Sequence, residues 1–559
     1  MCLLAGGVGF TDSASSDSVS ATTPKAAETA LETVRFADEK LVNAYYQMDS
    51  AINNQPTVVS DGVDESTIAA AVSGEEKPSN IILRFNGEGN ITDKNGNEFG
   101  SFESVHRTYL QNKCIPVLRI ESAEAADAFL ALTENFALLD MSVMSSDAAV
   151  LKKIRTAAKW VRGILRFEEL TDVAQAVATA NAHYATTILL EQKDATAENV
   201  NYIQARFKSV WVNVESYLAS DIYYAVNSGA YGVVSTYCQD VYDVLSTYSG
   251  NSVTRTPYNV AHRGCPGVTN ENSLSGVKLA VESGATHLEL DGYLTSDNEI
   301  VMMHDTDISR TSNGTGHVEN FTLNQLKEFD LDLYEPYEKI PSLQEVLEEI
   351  KDTDIVLVFE IKSSKTAIVD RFKEVIEEYG MASQCVAITF GTTMLGAMRD
   401  VLPEVPTAYL ENSAVVNVNT LPELLQTLGE YNAVVDKNYQ KGTTSSFDRY
   451  LKDRGYAGWY WTFNDEKAVD AGKDSGFVGL TNNVAETWKN DARFVTGKTA
   501  SSFAVGSEAE ITLPTYSGEE KTVTGEIFYS RKTLGGYYLV SRYLFEERYL
   551  YTQTYFVSA

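Results

Sequence analysis

Two α/β barrels of the (β/α)8 kind in tandem, followed by a small all-β domain, form the fold class this 559-residue sequence predicts. Three observations predict it. Short apolar runs alternate with amphipathic helical segments at an even pitch through two successive stretches. In the second stretch the charged residues fall where strands end, as they do at the mouth of such a barrel. After Lys498 the pattern changes to plain alternation with turn signals.

Residues 1–30 read as a leader remnant and a disordered linker. The start "MCLLAGGVGF" is apolar but short and lacks a basic flank, and "TDSASSDSVSATTPKAA" is a polar tether. That reading places the chain outside the cell or on its surface; a merely disordered N-terminus would leave it cytoplasmic. Residues 31–252 read as a degenerate, non-catalytic (β/α) barrel. Its strands are "NIILRF", "CIPVLRI", "ALLDMSV", "WVRGILRF", "ATTILLE", "SVWVNVE" and "YGVVST". Seven units are visible, and "PTVVS" is the candidate eighth, after a helical "FADEKLVNAYYQMDSAIN". The joint "YSGNSVTRTP" separates them from the second barrel, 253–497. Its strands read "YNVAHRG", "THLELDGYLT", "DIVLVFEIK", "CVAITF", "PTAYLEN", "AVVDKN", "GWYWTFN" and "FVGLTNN". Residues 498–559, rich in Tyr, Thr and Val, form the β module.

Composition excludes several classes. Acidic residues outnumber basic ones 77 to 45, a net charge of −32, which disfavours nucleic acid and anionic membrane surfaces. No apolar run approaches the roughly 18 residues of a transmembrane helix. The five cysteines are scattered, with neither zinc spacing nor a disulfide framework.

The chemistry concentrates in the second barrel. Of six histidines, four lie between His262 and His317. His262 and Arg263 close the first strand. Glu289 and Asp291 are two apart in "HLELD", so one face of a strand presents both, and Glu360 and Lys362 repeat the arrangement. Carboxylates in an apolar barrel strand are costly unless they bind something. Three near one mouth make an oxygen-only nest for one hard divalent cation, Mg2+ or Ca2+. His304 ends another apolar run, and with His262 it supplies an imidazole pair able to take and give a proton near neutral pH. His287 lies one layer deeper and reads as packing, and His317 as loop surface. Trp461 and Phe463 fall on one strand face by alternation.

These residues together resemble the glycerophosphodiester phosphodiesterase family over about residues 258–489. The resemblance rests on "AHRG", "ENS", "GATHLELDGYLTSDNEIVMMHD", "RTSNGTG", "PSLQEVL", "FEIK" and "WYWTFN". It implies a TIM barrel of the phosphodiesterase type with Glu289, Asp291 and Glu360 as metal ligands and His262 and His304 as the acid/base pair. It further implies that Arg263 and Lys362 bind phosphoryl oxygens, that Glu271 supports the site, and that Trp461 and Phe463 wall a glycerol pocket; plain core packing is the other reading of those two rings. Metal-dependent hydrolysis of a glycerophosphodiester to glycerol 3-phosphate and an alcohol would follow, a hydrolase step of lipid and glycerol metabolism, here in a secreted chain. The substrate would be a small glycerophosphodiester or a glycerol-phosphate polymer; lysophospholipid hydrolysis and a surface binding protein with a vestigial site are the alternatives. The sequence departs from the family at Ser273, which keeps a hydroxyl, and at Asn482, where an aspartate is usual. The second departure is expected to touch the rim of the site and leave the metal ligands and both histidines intact.

The first barrel lacks these groups. Its first strand ends "RFNGEG", and His106 and His183 fall in helical segments. Glu121, Glu168, Glu191 and Glu215 follow strands, where helix N-termini favour acids; a cation or polar ligand is the other reading. The β module is expected either to contact glycan or cell wall or to pack as a lid on the enzyme barrel.

Overall fold

The computed structural model describes residues 50–53, 55–135, 140–413, 420–441 and 445–558. The expected leader and linker, 1–30, and most of the helix expected over 36–53 lie outside them.

Two closed eight-stranded parallel barrels follow one another. The first runs from Thr57–Asp61 to Gly232–Ser235 and closes where Thr57–Asp61 pairs with Asn80–Phe85. "PTVVS" therefore supplies the eighth strand. Its lumen is filled by one residue from each strand: Val59, Ile82, Val117, Met144, Ile164, Leu189, Trp211 and Val234. The second runs from Tyr258–His262 to Gly479–Asn482 and closes between Tyr258–His262 and His287–Leu294. Helices cover both, each with an apolar stripe turned inward. Leu343–Ile350, for instance, buries Leu343, Val346, Leu347 and Ile350 and starts on a Ser342/Glu345 capping box.

The barrels meet through the ends where their strands begin. Arg454 and Arg162 both pair with Asp140, at 2.7 and 3.0 Å, with all three side chains nearly sealed from water. Thr57 donates to Asp453 at 2.8 Å, Arg206 to Ser383 O at 2.7 Å, and His287 to Ala205 O at 2.7 Å. Phe207 of the first barrel meets Trp459 of the second edge-on at 4.7 Å, and Tyr258 stacks on the same indole. Each barrel thus plugs the other's floor, and the two mouths open at opposite ends. His287 is a floor residue, as the sequence suggested.

The C-terminal strands form a seven-stranded sheet that also takes in Ser252–Val253 from the joint, paired with Arg548–Tyr551. Phe528, Tyr529 and Tyr551 pack on Tyr223 and Tyr248 of the first barrel. Arg548 pairs with Asp474 and Tyr516 donates to Pro257 O in the second. These contacts clasp the flanks of both barrels. Among the described residues no helix is long and apolar enough to cross a membrane.

The seam also buries Lys208, which donates to Ala185 O at 3.0 Å and to Asn181 Oδ1; Asn181 in turn donates to Pro403 O and Val405 O. Burial pulls the Lys208 ammonium down to about 7. Folding therefore lowers its proton affinity, and its contribution to stability grows as pH rises from about 7 toward the unfolded value and is lost as pH falls. In denaturant titrations, the stability of the wild type relative to Lys208→Met should rise by about 3 kcal/mol between pH 7 and 10. A difference flat in pH would contradict this.

Candidate active site

The mouth of the second barrel is built on a tight turn after its first strand. Arg263 and Cys265 hold left-handed backbone, φ +48° and +61°, on either side of Gly264 at +69°. A Cβ at Gly264 would come within 2.9 Å of the Gly276 backbone, so the turn lies directly on the following helix. The turn aims the Arg263 N–H at Glu289 Oε2, 3.0 Å away.

Glu289, Asp291 and Glu360 converge as their spacing predicted. Strands His287–Leu294 and Val356–Ile361 pair with Asp291 opposite Glu360. One carboxylate oxygen of each lies within 4.8 Å of the others. The three residues are 2%, 1% and 9% exposed, so water cannot screen their repulsion. Burial, then repulsion from Asp291 and Glu360, pushes the Glu289 carboxyl well above the usual range. Burial and Asp291 raise Glu360 to about 7. Burial also acts on Asp291, but Arg263 and Lys362 outweigh it and hold that carboxyl low. Lys362 Nζ lies 2.9 Å from Glu360 and 3.5 Å from Asp291.

The residues fit a divalent cation. Glu289 Oε1 and Asp291 Oδ1 are buried with no hydrogen-bond partner, and the donor set is oxygen only. Asn272, at φ +56°, locks Asp291 from behind: its amide donates to Oδ2 at 2.8 Å and its carbonyl accepts the Asp291 N–H at 3.0 Å.

The two histidines are each fixed through Nδ1. His262 donates to Asn483 Oδ1 at 2.6 Å, and Asn464 holds that amide in place. His304 donates to Asp305 at 2.6 Å. His262 Nε2 lies 3.9 Å from Glu289 Oε2, and among the described residues neither Nε2 makes a hydrogen bond. Burial and Arg263 bring His262 down to about 4, and burial lowers His304 as well. Glu271 is gripped by Arg263 at 3.2 Å and by Arg310 at 2.6 and 3.0 Å, and Arg310 also pairs with Asp305. One chain of contacts therefore links His304, Asp305, Arg310, Glu271, Arg263 and Asp291.

Two expectations need correcting. Trp461 and Phe463 do not share a strand face, because the pairing register slips between Tyr460 and Phe463. Trp461 stands half-buried, edge-on to the exposed Phe390 at 5.8 Å. Phe463 is buried, stacked on Tyr439 at 4.1 Å and pressed toward Gly472 of the following helix. Asn482 takes no part in the rim: it is fully buried and donates to Asn259 Oδ1 and Leu480 O, both at 2.9 Å. Its neighbour Asn483 is the one that reaches the site. Sequence reasoning gave no role to Asn272, Asp305 and Arg310, although "ENS" contains the first, "VMMHD" ends on the second and "RTSNGTG" opens with the third. His317 is exposed, as expected.

A model of the glycerophosphoryl diester phosphodiesterase family matches residues 262–487. The glycerophosphodiester phosphodiesterase of Caldanaerobacter subterraneus subsp. tengcongensis is 34% identical over 164 residues, 28% of this chain and 68% of that one. That of Bacillus altitudinis is 31% identical over 159 residues, 27% of this chain and 64% of the relative. The solved Oleispira antarctica phosphodiesterase, in complex with the product sn-glycerol-3-phosphate, is 23% identical with a TM-score of 0.38, over 42% of this chain and 95% of that chain. The family match begins at His262 itself and ends within the second barrel. By that barrel, the chain belongs to the glycerophosphoryl diester phosphodiesterase family.

Proposed function

We propose that the second barrel hydrolyses glycerophosphodiesters to glycerol 3-phosphate and a free alcohol, with one divalent cation, Mg2+ or Ca2+, held by Glu289, Asp291 and Glu360. The observation that carries this reading is the buried triad, in which Glu289 Oε1 and Asp291 Oδ1 accept no hydrogen bond. Bound there, the cation would neutralise charge growing on the phosphoryl oxygens. Arg263 and Lys362 draw the same anion into a chain whose net charge of −32 repels it at long range.

The groups behind the histidines divide their roles. Asp305 is a carboxylate and favours a protonated His304, whereas Asn483 offers His262 a neutral oxygen and leaves its Nε2 as an acceptor. His262 takes the proton of the attacking oxygen, that of water or of the neighbouring glycerol hydroxyl, and His304 protonates the departing alcohol; in the second case water then opens the cyclic phosphate with the two histidines in exchanged roles. Trp461 and Phe390, edge-on to each other at 5.8 Å, would offer apolar faces to that alcohol.

Glycerol 3-phosphate release should stop after dialysis against EDTA and return with Mg2+ or Ca2+; full turnover in EDTA would defeat the reading. His304→Ala should slow release of an alkyl alcohol by about 10²–10⁴-fold but spare a p-nitrophenol leaving group, which needs no protonation. His262→Ala should slow both. The reverse pattern would exchange the two roles. Asn272→Ala should weaken the activating cation about 10–100-fold, read from the metal concentration at half-maximal rate, because Asp291 loses its only side-chain amide among the described contacts. An unchanged midpoint would contradict that role.

A further inference from the structure

The first barrel keeps a built mouth of its own. Two positions beyond the lumen residues, on the same strand faces, stand Asp61, Arg84, Arg119, Arg166, Glu191 and Asn213. Arg84 pairs with Asp61 at 3.1 Å, Arg119 with Glu121 at 2.6 Å and Arg166 with Glu191 at 2.7 Å. Asn213 donates to the other oxygen of Glu191 at 2.8 Å. The four rim acids were expected at helix N-termini; Glu191 instead sits in this ring of pairs. All are partly open to solvent, where such pairs add little stability, so holding up the scaffold does not account for them.

A cleft of about 480 Å³ opens beside the ring, lined by Glu191, Lys193, Asn213, Glu215, Ser216 and Tyr224. Next to it two tyrosines stand off the ends of neighbouring strands. Tyr217 is 61% exposed and Tyr237 41%, and their rings meet edge-on at 5.7 Å. Two large exposed rings at a barrel mouth offer flat apolar faces to something that is not water.

The charges say what kind of ligand fits. Arg84, Arg119, Arg166 and Lys193 stand among Asp61, Glu121, Glu191 and Glu215, with Glu168 also acting on Arg166, so an anion meets no surplus of positive charge, and the described residues group no three carboxylates there that could hold a cation. What the mouth presents is a floor of fixed donors and acceptors side by side. Vicinal hydroxyls, which donate and accept at once, suit that floor, and the C–H faces of a sugar ring suit the tyrosines. We propose that the mouth of the first barrel binds a neutral carbohydrate chain, with Tyr217 and Tyr237 as stacking platform and Glu191, Asn213 and Arg166 as hydrogen-bonding floor. The site faces away from the phosphodiesterase mouth and does not depend on it. It would hold the enzyme on a glycan while the other end turns over.

The test uses the full-length protein against a panel of neutral gluco-, manno-, galacto-, xylo- and chito-oligosaccharides, with inorganic phosphate and polyphosphate as anionic controls, read by calorimetry. The expected result is binding of at least one oligosaccharide, weakened by about tenfold or more in Tyr217→Ala/Tyr237→Ala, a loss of roughly 1.4 kcal/mol. Glycerol 3-phosphate release should be unchanged in that variant, which also shows that it folds. Absence of binding across the panel at millimolar sugar, equal binding by the variant, or binding of the phosphates alone would each overturn the proposal.

Discussion

Three carboxylates held within 4.8 Å of one another in a mouth that admits little water repel each other strongly, and the second barrel is organised around that fact. Two cationic side chains, Arg263 and Lys362, touch the group and leave an excess of negative charge. The left-handed turn at Arg263, the Asn272 clamp on Asp291 and the Arg310–Glu271 link all serve to hold an arrangement that would otherwise spread apart. A chain selected only for stability would replace such a cluster with packed apolar residues. Asp436, also buried, adds its own repulsion to Glu360, and a divalent cation is the kind of ligand such a cluster fits.

The same mouth depends on a floor that the second barrel does not make alone. Tyr258, His287 and Trp459 close its base, and Ala205 and Phe207 of the first barrel complete that layer. Back-to-back packing thus gives the first barrel a part in the second: it seals the apolar base of the catalytic barrel against water. The packing also buries ions, notably Asp140 between two guanidiniums, and removing one partner there would strand a charge. Because the strand-start ends are consumed in this contact, each barrel has only its other end for ligands. The β module, sewn to the joint through Ser252–Val253, fastens the pair along its flanks.

Much of this was legible in the sequence. Apolar runs with helical segments between them gave both barrels, and "PTVVS" completed the first. The i, i+2 spacing of Glu289/Asp291 and Glu360/Lys362 gave the cluster, because a strand turns alternate side chains to one face. That rule failed for Phe463, where a register slip turns the ring away from Trp461's side. It could not assign Asn482 and Asn483 at a strand end, where regular alternation stops and a loop takes over. The partners Asp305, Arg310 and Asn483 come from loops, and nothing periodic in a loop announces where its side chains arrive. The seam was invisible for the same reason: polar residues before strands read as turns until a second barrel is placed against them.

Catalysis in the second barrel would rest on one ion at the three carboxylates, and direct titration of that ion tests this. Calorimetry of metal-stripped full-length protein with Mg2+ and with Ca2+ should show one site for at least one of them, lost in Glu289→Gln/Asp291→Asn while the circular dichroism of the fold is kept. No binding of either ion by the wild type, or equal binding by the variant, would contradict it.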